Sequence, residues 1–381
     1  MSIATHDPPS TPTVKVPLRR VAFRRSSNRF IAFLERHQIT IPTYFIAFIL
    51  LARLLNAPFA LRFLALSYRN PDGSYGKGWW DAAFISFYAI TFTALRAAVM
   101  RHALTPLAKA AKVKNKREMV RFCEQGWACL YYMLAFGSGI YLAKNSPFWS
   151  DYRHFWIGYP HVHLAPFAKT YYLIQFSFWI HQFFVLQIEE PRKDYRELVA
   201  HHVATCLLIL LSYLLNFTRI GSAVFCTMDF ADIFLALAKC LHYIQFEAAA
   251  NVTFAVLLCC WTYSRLYLYS QLVYSVVVHI PRYISYTFAP AQGHYFSRTA
   301  HYIFIVLLTS LLCLNFFWTY LMFRIAFRTL RGRQLRDDRS DDEVEVEPRA
   351  VTHATKLSQA PPLRKRDSGH GQMPEKGWQT L

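Results

Sequence analysis

Eight separate stretches of this chain are predominantly apolar over roughly twenty residues, at about 42–66, 79–100, 121–143, 167–188, 198–215, 220–244, 252–278 and 301–327. An α-helix needs about 20 such residues to cross the hydrocarbon of a bilayer, where every backbone polar group must be satisfied within the segment. The pattern predicts an all-α polytopic membrane protein with about eight transmembrane helices. Of the 381 residues, 54% are hydrophobic and only 17% charged, which excludes an ordinary soluble enzyme. The first span is the least clean, because Arg53, Asn56, Pro58 and Arg62 fall inside it.

A net charge of +19 would suit nucleic acid if it were spread over one face. Here the basic residues lie in tails and connectors flanking apolar spans, so the expected partners are membrane lipids or a phosphorylated substrate, with no nucleic acid. Connectors 101–121 and 189–197 hold ten Lys and Arg, whereas 67–78, 144–166 and 279–300 hold six. An even span count puts both ends on the richer side, and the positive-inside bias makes that side the cytosol. Residues 1–40 form a basic arm without the apolar core of a cleavable signal, 41–115 hold the first two spans, 116–331 the main membrane domain, and 332–381 a polar tail expected to be disordered. The eight cysteines fall within apolar spans without metal-ligand spacing, so neither a disulfide framework nor a metal site is expected. The Asn216-Phe217-Thr218 sequon lies too close to the membrane for modification and reads as a chance match.

The stretch from His201 to Tyr243 carries the polar residues that an embedded helix pair does not tolerate without reason: His201, His202, Asp229, Asp232 and Lys239. A charge at the centre of a membrane helix costs at least ~2.5–3.5 kcal/mol, so such residues face an interior and mark a site. Treated as two antiparallel helices turning near 217–218, the stretch places His202 level with Asp232 and Asp229 one turn deeper. Asp229, Asp232 and Lys239 share a face. Adjacent histidines are ~100° apart, so only one points straight at it, ~6–9 Å below the cytosolic boundary. The plainer reading has the histidines bonding backbone carbonyls and the aspartates pairing with Lys239 or Arg219. Metal chemistry would need further histidine boxes that are missing here. Arg265, mid-span in WTYSRLYLY, wants an acidic partner, such as Asp229, or a substrate oxygen.

The pattern HHxxTxxL…SYxxNxTRxG…DxxDxxLxxAKxxxY, with RFCEQGW at 121–127, the run QIEEPRKDYRELVAHH and the aromatics around Arg265, resembles the Lag motif of the ceramide synthases over about Lys116 to Arg331. That resemblance implies a TLC-type six-helix core around a central cavity. It also implies residence in the endoplasmic reticulum and transfer of an acyl group from acyl-CoA to a sphingoid base, with acyl-CoA as co-substrate and no further cofactor. His201, His202, Asp229 and Asp232 match the family's essential pairs. Lys239, Arg265, Trp179, Tyr213 and Asn216 are carried as substrate-binding candidates. The connector 101–121 is too short for the homeodomain-like insert of many vertebrate members. The chain is similar in this to the fungal branch, whose enzymes can work with a small membrane subunit; a homo- or heterodimer is a further expectation. Relatives of the same domain that sense lipid or attend the translocon lack the HH and DxxD combination, which is intact here.

Amide formation needs the ammonium of the base deprotonated and a donor for the tetrahedral oxyanion. A histidine oriented by an aspartate meets the first need; alternatively His201 attacks the thioester and the amine opens an acyl-imidazole. Arg192 and Lys193 suit CoA phosphates, or serve only to orient the chain. Tyr171, Phe176, Trp179 and Phe183 recur near helical spacing and line a chain tunnel or merely pack. Ser340, followed by Asp341, Asp342 and Glu343, has the context of an acidophilic kinase site.

Overall fold

The computed structural model describes residue 33 and residues 36–113, 115–188, 194–289 and 294–331. Arg192, Lys193 and Ser340, the basic arm up to residue 32 and the tail from residue 332 lie outside the described residues. The described chain is helical, apart from one antiparallel pair of two-residue strands, Phe288–Ala289 with His294–Tyr295.

The first expected span is broken. Helix α1 (Thr40–Leu54) has 15 residues, about 22 Å of helix and short of a bilayer's hydrocarbon. Asn56 then turns the chain with φ of 57°, and Pro58 opens the seven-residue α2 (Pro58–Leu64). Proline offers no N–H, which costs nothing at a helix start, while asparagine tolerates the left-handed region better than most residues. Both short helices pack on α3 (Trp80–Val99), burying Ile49, Ala52, Ala60 and Phe87 together.

Among the described residues, six helical stretches are long and apolar enough to cross a membrane: Trp80–Ala110, Lys116–Lys144, Tyr195–Leu214, Thr218–Tyr243, Glu247–Val278 and Arg298–Leu330. The first includes α3 and a π-turn at Met100–Leu104, the second is α4, the third α6 and the fourth α7. The fifth is α8 (Glu247–Trp261) running through a π-turn at Thr262–Leu268 into α9 (Tyr269–Val278), and the last is α10. Between α4 and α6 lies α5 (Pro166–Ile188), whose 23 residues have the length of a span but a more polar character. Its Lys169, Gln175 and His181 are all buried against neighbouring helices.

Helix α7 packs along α4 and against α8, α5 against α3 and α6, and α6 against α10. The turn between α6 and α7 is tight because Asn216 adopts φ of 63°. Asn216 is buried, and its Oδ1 accepts a hydrogen bond from Lys77 Nζ at 2.8 Å, which removes the sequon from reach of modification. Lys77 also donates to the Tyr213 carbonyl at 2.9 Å. Beside it Asp81 accepts from Tyr213 Oη at 2.8 Å and pairs with the buried Lys169 at 2.6 Å. Lys169 Nζ in turn donates to the carbonyls of Ser67 and Gly76. This network fastens the connector 67–78 across the ends of α5 and α6.

Candidate active site

Two cavities meet inside the bundle. The inner chamber is apolar and runs between α6, α7 and α10, past Leu208, Ile209, Phe225 and Leu311, to Tyr172, Ser212 and Gly221. The second, a vestibule, is polar and is lined by Arg96, Glu124, Gln182, Asp194, His202 and Lys239 among others. Among the described residues, only Trp179, His201, Asp232 and Arg265 line both. The junction between an apolar and a polar chamber is therefore made of one indole, one imidazole and one ion pair.

His201 and His202 occupy adjacent positions on α6, and the helix turns them apart as its 3.6-residue period demands. His202 Nδ1 lies 2.8 Å from the Leu198 carbonyl of its own helix, and its ring faces the vestibule alone. His201 sits edge-on between Trp179 and Trp318, with ring centroids 5.5 and 5.3 Å away. Its Nδ1 is buried without a hydrogen-bond partner, as are Trp179 Nε1, Trp318 Nε1, Thr205 Oγ1 and Arg265 Nε. Buried polar atoms in folded proteins are almost always bonded. Such atoms gathered around one junction mark a place where a ligand completes the bonding.

Asp232 does not serve the histidine in the way the paired helices suggested. Its Oδ2 is 2.6 Å from Arg265 Nη2. The acidic partner that a mid-span Arg265 wants is Asp232 rather than Asp229, because the π-turn at Thr262–Leu268 brings its guanidinium between α7 and α10. There it also donates to the Met228 carbonyl at 3.0 Å and to Asn315 Oδ1 at 3.4 Å, and lies 4.3 Å from the Trp261 ring centroid. π-turns recur at functional sites because the extra residue re-aims a side chain without ending the helix. Asp229, one turn deeper, accepts from Gln175 Nε2 at 2.6 Å, and Gln175 Oε1 accepts from Tyr131 Oη at 2.6 Å.

Lys239 lines the vestibule. Tyr213 and Asn216 line neither chamber; they belong to the Lys77 and Asp81 network, because the α6 end turns their polar atoms toward the connector. Of the four aromatics at helical spacing on α5, Trp179 alone lines the chambers, joined by Tyr172. Tyr171 instead meets Gln175 at 3.2 Å, and Phe176 packs in the core. Sequence reasoning overlooked Gln175, Asn315 and Trp318. The first two carried a readable signal, an amide in the middle of an apolar run; a tryptophan within an apolar run carries none.

The TLC domain family matches residues 121–324. The sphingosine N-acyltransferase lag1 of Schizosaccharomyces pombe is 38% identical over 300 residues, covering 78% of this chain and 77% of that protein. The sphingosine N-acyltransferase lac1 of the same yeast is 37% identical over 286 residues, 74% of each chain. The ceramide synthase LAG1 of Saccharomyces cerevisiae is 33% identical over 285 residues, 74% of this chain and 69% of that protein. With a membrane bundle, a matched domain over more than half its length and these relatives along most of it, the chain belongs to the TLC-domain family of sphingosine N-acyltransferases and ceramide synthases.

Proposed function

We propose that this protein transfers a fatty acyl group from acyl-CoA to the amine of a sphingoid base, with the reaction centred on His201. The observation that carries this reading is the place of His201: a buried imidazole with a free ring nitrogen, where an apolar chamber meets a polar one. The acyl chain enters the inner chamber, which follows α6 from His201 to Ser212, eleven residues and about 16 Å of helix. The pantetheine arm and the CoA phosphates remain in or beyond the vestibule, and the thioester carbonyl comes to His201.

Two roles for His201 fit the site. As nucleophile it forms a C–N bond to the thioester carbon and expels the CoA thiolate; the amine then attacks and regenerates the imidazole. As general base it takes the proton of the attacking amine directly. The unpaired indole N–H groups of Trp179 and Trp318 are the donors nearest to hand for the oxyanion. Asp232 fixes the Arg265 guanidinium at the junction, where that cation lies beside the departing thiolate. Acyl-CoA serves as co-substrate and no other cofactor is required.

The Lys and Arg bias of the connectors supports an endoplasmic-reticulum orientation with connectors 101–121 and 189–197, and with them the vestibule mouth, in the cytosol, where acyl-CoA is found. A small membrane subunit and a dimer belong to the same reading. The test is purified protein with a panel of acyl-CoAs against dihydrosphingosine and phytosphingosine. Ceramide should form with wild type and not with His201→Ala, and incubation with acyl-CoA alone should leave an acyl group on the peptide bearing His201 if the imidazole is the nucleophile. Ceramide formation at the wild-type rate by His201→Ala would overturn the assignment.

A further inference from the structure

Asp194 stands at the N-cap of α6. An aspartate there ordinarily accepts a hydrogen bond from an N–H in the first turn. Asp194 makes no such bond. It is 5% exposed, and both of its carboxylate oxygens are buried without a hydrogen-bond partner. Its side chain lines the vestibule. Removing a carboxylate from water with nothing to bond it costs far more than a forgone cap returns. A carboxylate kept in that state points to a partner that arrives from outside the chain.

The position of the group narrows the choice of partner. Asp194, Leu198, His201 and Thr205 follow the spacing of one helix face, and all four line the two cavities. Asp194 is seven residues before His201, about 10 Å along the same wall. The reaction brings two substrates past this wall. Acyl-CoA carries phosphates, which a carboxylate repels. The sphingoid base carries a primary amine, which in water titrates near ~10.4 as lysine does and so arrives as a cation.

We propose that Asp194 is the docking carboxylate for the ammonium group of the incoming long-chain base. It holds the base in the vestibule one and a half to two helical turns short of His201, before the amine gives up its proton and moves to the acyl carbon. This inference rests on the reaction proposed above. It adds a binding site for one of the two substrates, separate from the junction where the acyl group is transferred.

The test measures KM for dihydrosphingosine and for palmitoyl-CoA separately, in wild type, Asp194→Asn and Asp194→Ser. Serine caps helices about as well as aspartate, so Asp194→Ser preserves a merely structural role and removes the charge. Both variants should raise KM for the base about 10- to 100-fold, the loss of a charge-assisted hydrogen bond, and leave KM for palmitoyl-CoA unchanged. Octadecylamine should compete with the base in wild type and bind it in calorimetry, octadecanol should not, and the difference should vanish in both variants. A rise in KM for palmitoyl-CoA instead would give the carboxylate to the pantetheine amides and overturn the proposal. Wild-type KM values in Asp194→Ser would show that binding of the base does not need the charge and overturn it as well. A wild-type protein that forms no ceramide would count against the reaction, while octadecylamine binding would still decide the role of Asp194.

Discussion

Asp232 Oδ2 and Arg265 Nη2 lie 2.6 Å apart at the junction of the two chambers, both side chains largely withdrawn from the surface. Breaking such a pair from one side leaves an uncompensated buried charge, at a cost of about 3–5 kcal/mol, whereas removing both charges is often nearly neutral. Asp232→Ala and Arg265→Met should each lower the melting temperature in detergent and abolish acyl transfer. The double variant should recover most of the stability and none of the activity. A double-mutant cycle should show strong coupling between Asp232 and Arg265 and weaker coupling between Asp232 and His202. The opposite ranking would return Asp232 to the role of histidine orienter.

Gln175 is the hinge of a second buried chain of bonds, donating to Asp229 and accepting from Tyr131. Gln175→Leu keeps much of the volume and strands the Asp229 carboxylate. The expected loss is ~1.5–3 kcal/mol of stability, the range for hydrogen bonds to charged groups. Gln175→Glu should be worse, because two carboxylates would then face each other. Thermal unfolding in detergent of these two variants checks the order.

The far end of the inner chamber should set acyl-chain length. A Cβ on Gly221 would lie 2.8 Å from Tyr172 Oη and 3.1 Å from Ser212 Oγ, so Gly221→Ala must push the floor inward. Its ceramides should carry shorter acyl chains than those of wild type. Phe304 closes the chamber from α10 and packs on Phe217, which packs on Phe296 of the connector before α10. Phe304→Ala should therefore lengthen the product, and exchanging Pro281–Arg298 with that of a relative should shift it in the direction of the donor. Mass spectrometry of the ceramides formed from mixed acyl-CoAs reads all three, and unchanged profiles would place the ruler elsewhere.

Lys77, in the connector before α3, is held by burial and by nearby Lys169 at a pKa of about 7, against an ordinary 10.5, with Asp81 opposing the shift. Its bonds to the Tyr213 carbonyl and Asn216 Oδ1 need only two N–H groups, which a neutral amine retains. Between about pH 7 and 10.5 the unfolded chain binds a proton that the folded chain has shed, so stability rises with pH over that window. Below pH 7 both states are protonated and the dependence ends. Melting temperature should climb from pH 7 to 9 in wild type, and the climb should flatten in Lys77→Gln.

The class of fold was legible in the sequence because lipid imposes it. A helix that must satisfy its own backbone and match a fixed thickness announces itself as a run of apolar residues, and six such runs became long helices. The weak point was legible too: Asn56 and Pro58 inside the first run are what divide it. The polar residues of the site were visible for the same reason, since His201, Asp229, Asp232 and Arg265 interrupt apolar runs at a cost that lipid makes large.

Which of these polar residues meet was decided by tertiary structure alone. Helical spacing says that Asp229 and Asp232 share a face of α7, but their partners come from two other helices, and no local pattern sets the rotation of one helix against another. The π-turn that carries Arg265 to Asp232 rather than Asp229, the glutamine of α5 that claims Asp229, and the tryptophan of α10 that flanks His201 all follow from packing. Tyr213 and Asn216 show the same limit from the other side: their motif spacing is local, while the lysine and aspartate that hold them lie more than a hundred residues away in sequence. Sequence determined that polar groups would be buried in a lipid-embedded bundle. The crossing of the helices decided which of them close an ion pair, which close a network, and which are left unbonded at the junction to meet a substrate.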